Sequence, residues 1–475
     1  MTGLDMAKDE NPSAKYPQTL CEGMSYSEML ERDTRRVPDF LIDESQQDLG
    51  TDPISTERYT SDEYARLENE KMWSKVWQFA AREEELPDPG DSVVFENAGR
   101  SYVIIRQEDL SVRVFHNVCL HRGRKLRNAS GFSPELKCPF HGFTWNNDGT
   151  LKSIPCAWDF AHLQNEEMSL PELRVDRWQG FIMVSEKQDI ENFVDWIGPV
   201  AAHFERWRLD ECYTKAWVGR RLPVNWKVAA EAFMEAFHSV TTHPQILGFT
   251  GDANTRYDLY GDYVNRAITP SAVLSPHVAD QHDQAHILKQ LGHSGGRRPD
   301  GKSYDLASAS AGISDDDPVR ARKIIAETNR QSFGQATNRD YSDISDTEMV
   351  DNFTYNIFPN FSPWGGFVPN LVYRWTAGSS ADECMMEIRI LARNPLGEKM
   401  PRSAKFHLVP DDEPFLEASD IIGKPLAAVF DQDLANLPSV QEGLKASATG
   451  MVQLGHYQES RIRHFCNTLD KYMNA

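Results

Sequence analysis

Cys119-Leu120-His121 and Cys138-Pro139-Phe140-His141, separated by sixteen residues, constrain this chain more than any other feature. Each segment offers one thiolate and one imidazole on a short loop. That set suits a Rieske-type 2Fe-2S cluster, with two Cys on one iron and two His on the other; imidazole in place of thiolate raises the reduction potential. Tetrahedral zinc also accepts Cys₂His₂, but its spacing pairs Cys with Cys and His with His. Here each pair is mixed, and only one residue separates the ligands of the first. The cluster is therefore preferred, with Cys119, His121, Cys138 and His141 as its ligands.

The flanks agree. Ser101–Ile105 and Val112–Phe115 are rich in β-branched and aromatic residues and are expected to be strands. Gly142–Trp145 followed by Asn147-Asp148-Gly149 is expected to be a strand entering a tight hairpin. Gly123 and Gly142, beside the His ligands, are expected to let backbone N–H groups approach the cluster sulfurs.

A chain of 475 residues is too long for one compact core. We divide it into an N-terminal arm (1–55), a cluster domain (56–187) and a larger α+β unit (188–475). The arm is polar and proline-containing, and suits wrapping around a neighbouring subunit. Within 250–345 a polar segment is expected to be a lid or insertion with a loop tip near 295–301. Strands are expected at 352–358, 370–375 and 384–391, and a C-terminal helix from about Leu434. No apolar run is long enough for a membrane span, and Met1–Glu10 lacks a secretory pattern, so a cytoplasmic protein is expected. The net charge of −21 argues against nucleic acid and anionic membranes as partners. The odd count of seven Cys suits a reducing compartment.

A second chemical centre lies in Glu231–His243. Two His and one carboxylate commonly hold non-heme iron for oxygen chemistry. On a regular helix His238 and His243 would lie about 140° apart, so they can share a metal only if the helix unwinds between them. Thr241, Thr242 and Pro244 favour that break. Glu231, Glu235 and His238, at i, i+4 and i+7, are expected to share one face.

Cys119-Leu120-His121-Arg122-Gly123 and Cys138-Pro139-Phe140-His141-Gly142-Phe143 resemble the cluster loops of the Rieske non-heme iron aromatic ring-hydroxylating oxygenases, large (alpha) subunit. Leu86–Asp91 resembles the turn that opens that family's cluster domain. Asn225-Trp226-Lys227 followed by Glu231, Glu235, His238 and His243 resembles its catalytic helix, with Glu235 where the family usually has Asp. The resemblance implies an α+β fold, with a small antiparallel-β Rieske domain and a larger helix-grip (START-like) catalytic domain. It further implies mononuclear Fe(II) held by His238, His243 and a distant carboxylate. Asp433 fits that place because Gln441 follows at the family's spacing, although Pro438 stands where Glu is usual. Asp431 fits neither spacing and is assigned to a helix N-terminus.

Glu235 is then the catalytic carboxylate that links a metal His to a cluster His across a subunit boundary. Electrons would come from a ferredoxin and/or flavin reductase using NAD(P)H, and a homotrimer is implied. The implied reaction is O2-dependent hydroxylation of a bulky apolar or aromatic substrate. Oxidative demethylation of a quaternary ammonium or methoxy substrate is the alternative, and a non-catalytic electron carrier the other. Phe353, Tyr355, Ile357, Phe361, Trp364 and Phe367 either line the pocket or belong to the core. An oxygenase should contain about three iron atoms per chain and a carrier about two. Iron and acid-labile sulfide assays test this, and zinc without sulfide would overturn the cluster assignment.

Overall fold

A computed structural model describes residues 23–163, 168–293, 310, 312–367 and 370–475. The readings of Met1–Glu10 and of the 295–301 loop tip fall outside these residues. The described part of the arm lies against its own chain. Tyr26 Oη donates to Asp351 at 2.9 Å, Asp33 accepts from the Asp346 and Thr347 amides at 2.8 Å, and Leu41 is fully buried. The arm ends near β1 (Ile54–Ser55).

The cluster unit is built from small antiparallel sheets. β2 (Gln78–Arg82) belongs to a three-stranded sheet. β3 (Asp91–Asn97), β4 (Arg100–Arg106), β5 (Val112–His116) and β6 (Gly131–Phe132) form another, in the order β5-β4-β3-β6. Ala98 and Gly99 both have positive φ, as a two-residue hairpin between right-twisted strands requires. β4 shows why Ser101–Ile105 is almost continuously apolar. Tyr102 and Ile104 enter one core with Phe95 and Ile182. Val103 and Ile105 enter a second with Phe115, Trp145, Cys119 and Cys138. Both faces are buried, so alternation disappears.

β7 (Leu136–Lys137), β8 (Thr144–Trp145) and β9 (Leu151–Ser153) form the sheet beneath the second ligand loop. β10 (Arg174–Trp178) and β11 (Phe181–Ser185) complete the sheet with β2.

The larger unit is an eight-stranded sheet. Its strands are β12 (Cys212–Leu222), β13 (Arg256–Tyr260), β14 (Val264–Thr269), β15 (Asn352–Ile357), β16 (Phe361–Gly365), β17 (Leu371–Ala377), β18 (Cys384–Arg393) and β19 (His407–Leu408). The order is β13-β14-β15-β16-β17-β18-β12-β19, antiparallel except for β12 with β19. The helix Lys424–Ala446 lies over one face, where Phe430 meets Tyr373 at 6.1 Å. It starts ten residues before the expected Leu434. β20 (Met451–Val452) then pairs with β1. Among the described residues no helix is long and apolar enough to cross a membrane.

One expectation needs correction, and four of the aromatic and aliphatic residues left between pocket and core belong to the core. The polar 250–345 segment holds two strands of the main sheet, because its charges pair internally: buried Asp258 accepts from Arg266 at 2.7 Å and from Arg256 at 3.2 Å. Phe353, Tyr355 and Ile357 are core, packed on the sheet face opposite Phe430. Phe353 meets Trp207 at 5.3 Å and Tyr355 meets Phe204 at 4.8 Å, both on the helix Val200–Trp207. Phe361 packs on Phe79 and Phe181 of the cluster unit at 4.8 Å.

Arg374 joins the two units. Its Nε and Nη2 hold Glu387, while Nη1 donates to Phe79 O at 3.1 Å and Ala80 O at 2.7 Å in β2. Both side chains are buried, so removing one strands the other's charge. Arg374→Met should cost about 3–5 kcal/mol, measured as a fall in Tm, and adding Glu387→Gln should recover part of it.

Candidate metal centres

Both cluster loops have the same backbone shape. Gly123 N donates to Cys119 O and Gly142 N to Cys138 O, each at 3.0 Å. Cys119 N donates to Arg124 O and Cys138 N to Phe143 O, each at 2.8 Å. The two glycines have φ of +73° and +76°, a region that other residues adopt only with strain. Their own amides close the turns, whereas the amides aimed at the Cys119 sulfur are those of His121 and Arg122. The common signal was glycine four residues after each Cys.

Cys119 and Cys138 are 2% exposed, with their sulfurs inward, and His141 is exposed. The His121 and His141 rings lie 4.6 Å apart. Phe143 stacks on His121 at 4.6 Å and 7°. His121 Nδ1 is buried with no partner. Desolvation, with His141 and Arg122 nearby, holds the His121 pKa below its usual range and favours the neutral imidazole that metals need. Two inward thiols, adjacent imidazoles and an idle ring nitrogen fit a Rieske cluster. The turn upstream, Gln107–Leu110, closes by Leu110 N to Gln107 O at 3.0 Å.

The second centre is assembled from three elements. Asn225 caps the helix Trp226–Glu231 by accepting from Lys227 N, and Lys227 Nζ pairs with buried Glu68 at 2.6 Å. The helix stops at Glu231. Residues 232–237 are irregular, and Ser239–Thr242 forms one further turn flanked by His238 and His243. The break therefore falls before His238, not between the two His. Glu231 consequently leaves the expected shared face. It accepts from Tyr59 Oη at 3.1 Å, and burial pushes its pKa up to about 7.

His238, His243 and Asp433 offer ligand atoms that all lie within 4.8 Å of one another. Asp433 Oδ1 is 2.7 Å from His243 Nε2 and 3.5 Å from His238 Nε2. Both other ring nitrogens are occupied: His238 Nδ1 by Glu235 Oε1 at 2.6 Å, His243 Nδ1 by Gln432 Oε1 at 2.9 Å. Acceptors at Nδ1 keep the proton there and leave both Nε2 lone pairs free for a metal. Burial opposes charging His238, but Glu235 and Asp433 outweigh it and hold its pKa above the usual value. The donor set fits mononuclear iron.

Gln432 escaped the sequence reading; its only signal is adjacency to Asp433. Asp431 points elsewhere, accepting from the Phe415 and Leu416 amides at the start of a neighbouring 3₁₀ turn. Gln441 accepts from Asn225 N and donates to Tyr59 O, away from the triad. Pro438 sits inside the helix that carries Asp433. On the face that meets the helix bearing Asp433, Phe233 lies 5.1 Å from Tyr373 and 5.8 Å from Trp375, and Tyr373 lies 6.1 Å from Phe430. Trp364, 6.0 Å from Tyr373, belongs to this face, whereas Phe367 packs against Tyr341.

Two family models match: a Rieske [2Fe-2S] domain over residues 76–164, and a ring hydroxylating alpha subunit catalytic domain over 201–475. The chain is 29% identical over 189 residues to a carnitine monooxygenase oxygenase subunit of Acinetobacter baumannii, covering 39% of this chain and 51% of that one. It is 30% identical over 192 residues to a benzene 1,2-dioxygenase subunit alpha of Pseudomonas putida, covering 39% and 42%. The chain thus spans about half the length of the curated relatives it matches. Its fold is similar to a quaternary ammonium Rieske monooxygenase solved with L-carnitine (TM-score 0.61, 18% identity, 90% of this chain and 96% of that one). It is similarly close to naphthalene 1,2-dioxygenase with indole bound (TM-score 0.61, 16% identity, 90% and 93%). At these identities the likeness concerns the fold.

Asp433→Asn should remove about one iron of three per chain while leaving the visible cluster absorbance intact. Asp431→Asn should leave the iron content unchanged. Iron analysis of both variants checks the assignment.

Proposed function

This chain belongs to the ring-hydroxylating alpha-subunit family, and from that premise we propose that it is a terminal oxygenase component. It would hydroxylate a bulky apolar or aromatic substrate with O2. The observation that carries this reading is the convergence of His238, His243 and Asp433 in a chain that also carries the paired Cys-His loops. An electron carrier has no use for such a triad.

Cys119, Cys138, His121 and His141 would hold the 2Fe-2S cluster, and His238, His243 and Asp433 mononuclear Fe(II). When bound, these groups supply single-electron storage at the first site and O2 activation at the second. Glu235 is a positioning residue. Its Oε1 holds the His238 Nδ1 proton and its Oε2 accepts from the His238 amide at 2.9 Å, fixing both the tautomer and the ring. Gln432 Oε1 likewise accepts from His243 Nδ1, and Gln245 Nε2 donates to the same oxygen at 2.6 Å. Phe233, Tyr373, Trp375 and Phe430 form an apolar ring cluster under the helix that carries Asp433.

A head-to-tail homotrimer would cover the exposed rings. Phe140 (58% exposed) and Trp158 (80%) stand around the cluster loops, and Phe237 (53%) stands beside Glu235 and His238. Apolar rings at two different faces are covered when one face meets the other in a closed ring. Glu235 would then carry the contact from His238 to a cluster His of the next subunit. A ferredoxin and/or flavin reductase drawing on NAD(P)H is the electron source. Among the described residues, the four cysteines outside the cluster loops form no disulfide, which suits the cytoplasm.

Oxidative demethylation of a quaternary ammonium substrate is the second reading. The ring cluster beside Asp433 favours it, since aromatic faces attract such cations. Product analysis under O2 with a supplied reductant separates the two: formaldehyde marks demethylation, a hydroxylated ring the first reading. His238→Ala should keep the visible cluster spectrum and abolish oxidation; retained turnover sinks the proposal. Glu235→Gln should slow turnover by about 10–100-fold without loss of cluster absorbance.

A further inference from the structure

The sheet face beneath the triad carries polar groups that no protein atom satisfies. Asn265 on β14 pairs with Asn356 on β15, and Ser362 on β16 with Tyr373 on β17. The β15–β16 register sets Asn356 opposite Ser362, so the four residues form one row across that face. Tyr373, at one end, meets Phe233 and Phe430 and lies in the field of Asp433. Asn265, at the other, is fully engaged: its Oδ1 accepts from Arg461 Nε at 2.6 Å, and its amide reaches Arg461 O and His464 Nδ1. Ser362 turns its hydroxyl to Tyr355 O. Asn356 is 2% exposed, and neither its Oδ1 nor its Nδ2 has a partner.

Arg461 adds a cation at that end of the row. It is 1% exposed; Nη1 donates to Met234 O at 3.1 Å, and Nη2 has no partner. Arg82, Arg256, Arg266, Arg322 and Arg389 are equally buried, and each has a carboxylate within salt-bridge distance. Arg461 has none among the described residues. Burial pushes its pKa down to about 9 against the pull of Tyr257 and Glu235, yet a guanidinium stays charged at neutral pH. A buried cation with an idle donor bonds Asn265, whose partner across the sheet is an amide with both groups idle, an arrangement that an anion would complete.

We propose that Arg461 and Asn356 anchor a carboxylate carried by the substrate. This rests on the oxygenase reading above and adds the substrate's chemical class to it. The carboxylate accepts from Arg461 Nη2 and from Asn356 Nδ2, and Asn356 Oδ1 remains for a hydroxyl or N–H of the same molecule. The strands of Asn356 and Tyr373 are two spacings apart, about 10 Å. The carbon presented to the triad therefore lies about that far from the carboxylate, with an apolar body between them over Trp364 and Tyr373.

The test uses iron-loaded protein and two probes of matching length, 4-phenylbutanoate and its uncharged amide, compared by titration calorimetry. The acid should bind at least about tenfold more tightly, as a hydrogen bond to a charged group provides. Arg461→Gln should erase that preference with cluster absorbance and iron content unchanged. Asn356→Leu, which removes the idle groups at similar volume, should weaken acid binding and raise the Tm of the ligand-free protein. Equal binding of acid and amide, no binding of either, or a lower Tm for Asn356→Leu would each overturn the proposal. Oxidation of any substrate without an acid preference sinks the anchor alone. An acid preference without any oxidation sinks the oxygenase reading alone.

Discussion

One buried guanidinium sets the relation between the two halves of the molecule. Arg374 satisfies Glu387 inside the large sheet and, with its remaining donor, two carbonyls of β2 in the cluster unit. Arg389 repeats the pattern from β18, reaching Glu85 at 3.2 Å and lying 3.8 Å from the Trp217 ring centre. Charges desolvated to this degree tolerate little displacement, because each must keep its partner. The Phe79, Phe181 and Phe361 contacts fill the space around them. The cluster loops and the sheet that carries Tyr373 are thereby held in one orientation.

The metal triad depends on that rigidity in a different way. Two of its ligands flank a single helical turn that follows an irregular stretch, and the third comes from a helix 190 residues later in the chain. Local propensity cannot place such ligands. Packing of Phe430 against Tyr373 and the Gln432–His243 bond bring the segments together. The electrostatics are cooperative: Glu235 and Gln432 fix the protons on Nδ1, and the Nε2 atoms then face Asp433.

What the sequence revealed follows the range of the interactions involved. The cluster loops were legible because both ligands of each pair, and the glycine that closes its turn, lie within five residues. Asp433 was reachable only through resemblance to a family. β13 and β14 were missed because Arg256, Asp258 and Arg266 look like surface and are in fact a buried ionic group. The period of β15 sets Phe353, Tyr355 and Ile357 on one face, but period alone does not say which face meets the pocket. The Glu231–Glu235–His238 face failed because spacing assumes a helix that, beyond Glu231, does not exist.

Pro438 has no N–H to donate to Leu434 O, so the helix bearing Asp433 lacks one rung just past its metal-facing turn. Beyond that gap, Gln441 ties the helix to Asn225, Tyr59 and Asp382. The helix is thus fastened on both sides of the gap: Gln441 ties its far half, while Asp431, held by the Phe415 and Leu416 amides, and Gln432, bonded to His243, tie its near half. A helix missing one internal bond therefore keeps its ligand in place through side chains at either end of the break, and not through its own backbone ladder alone.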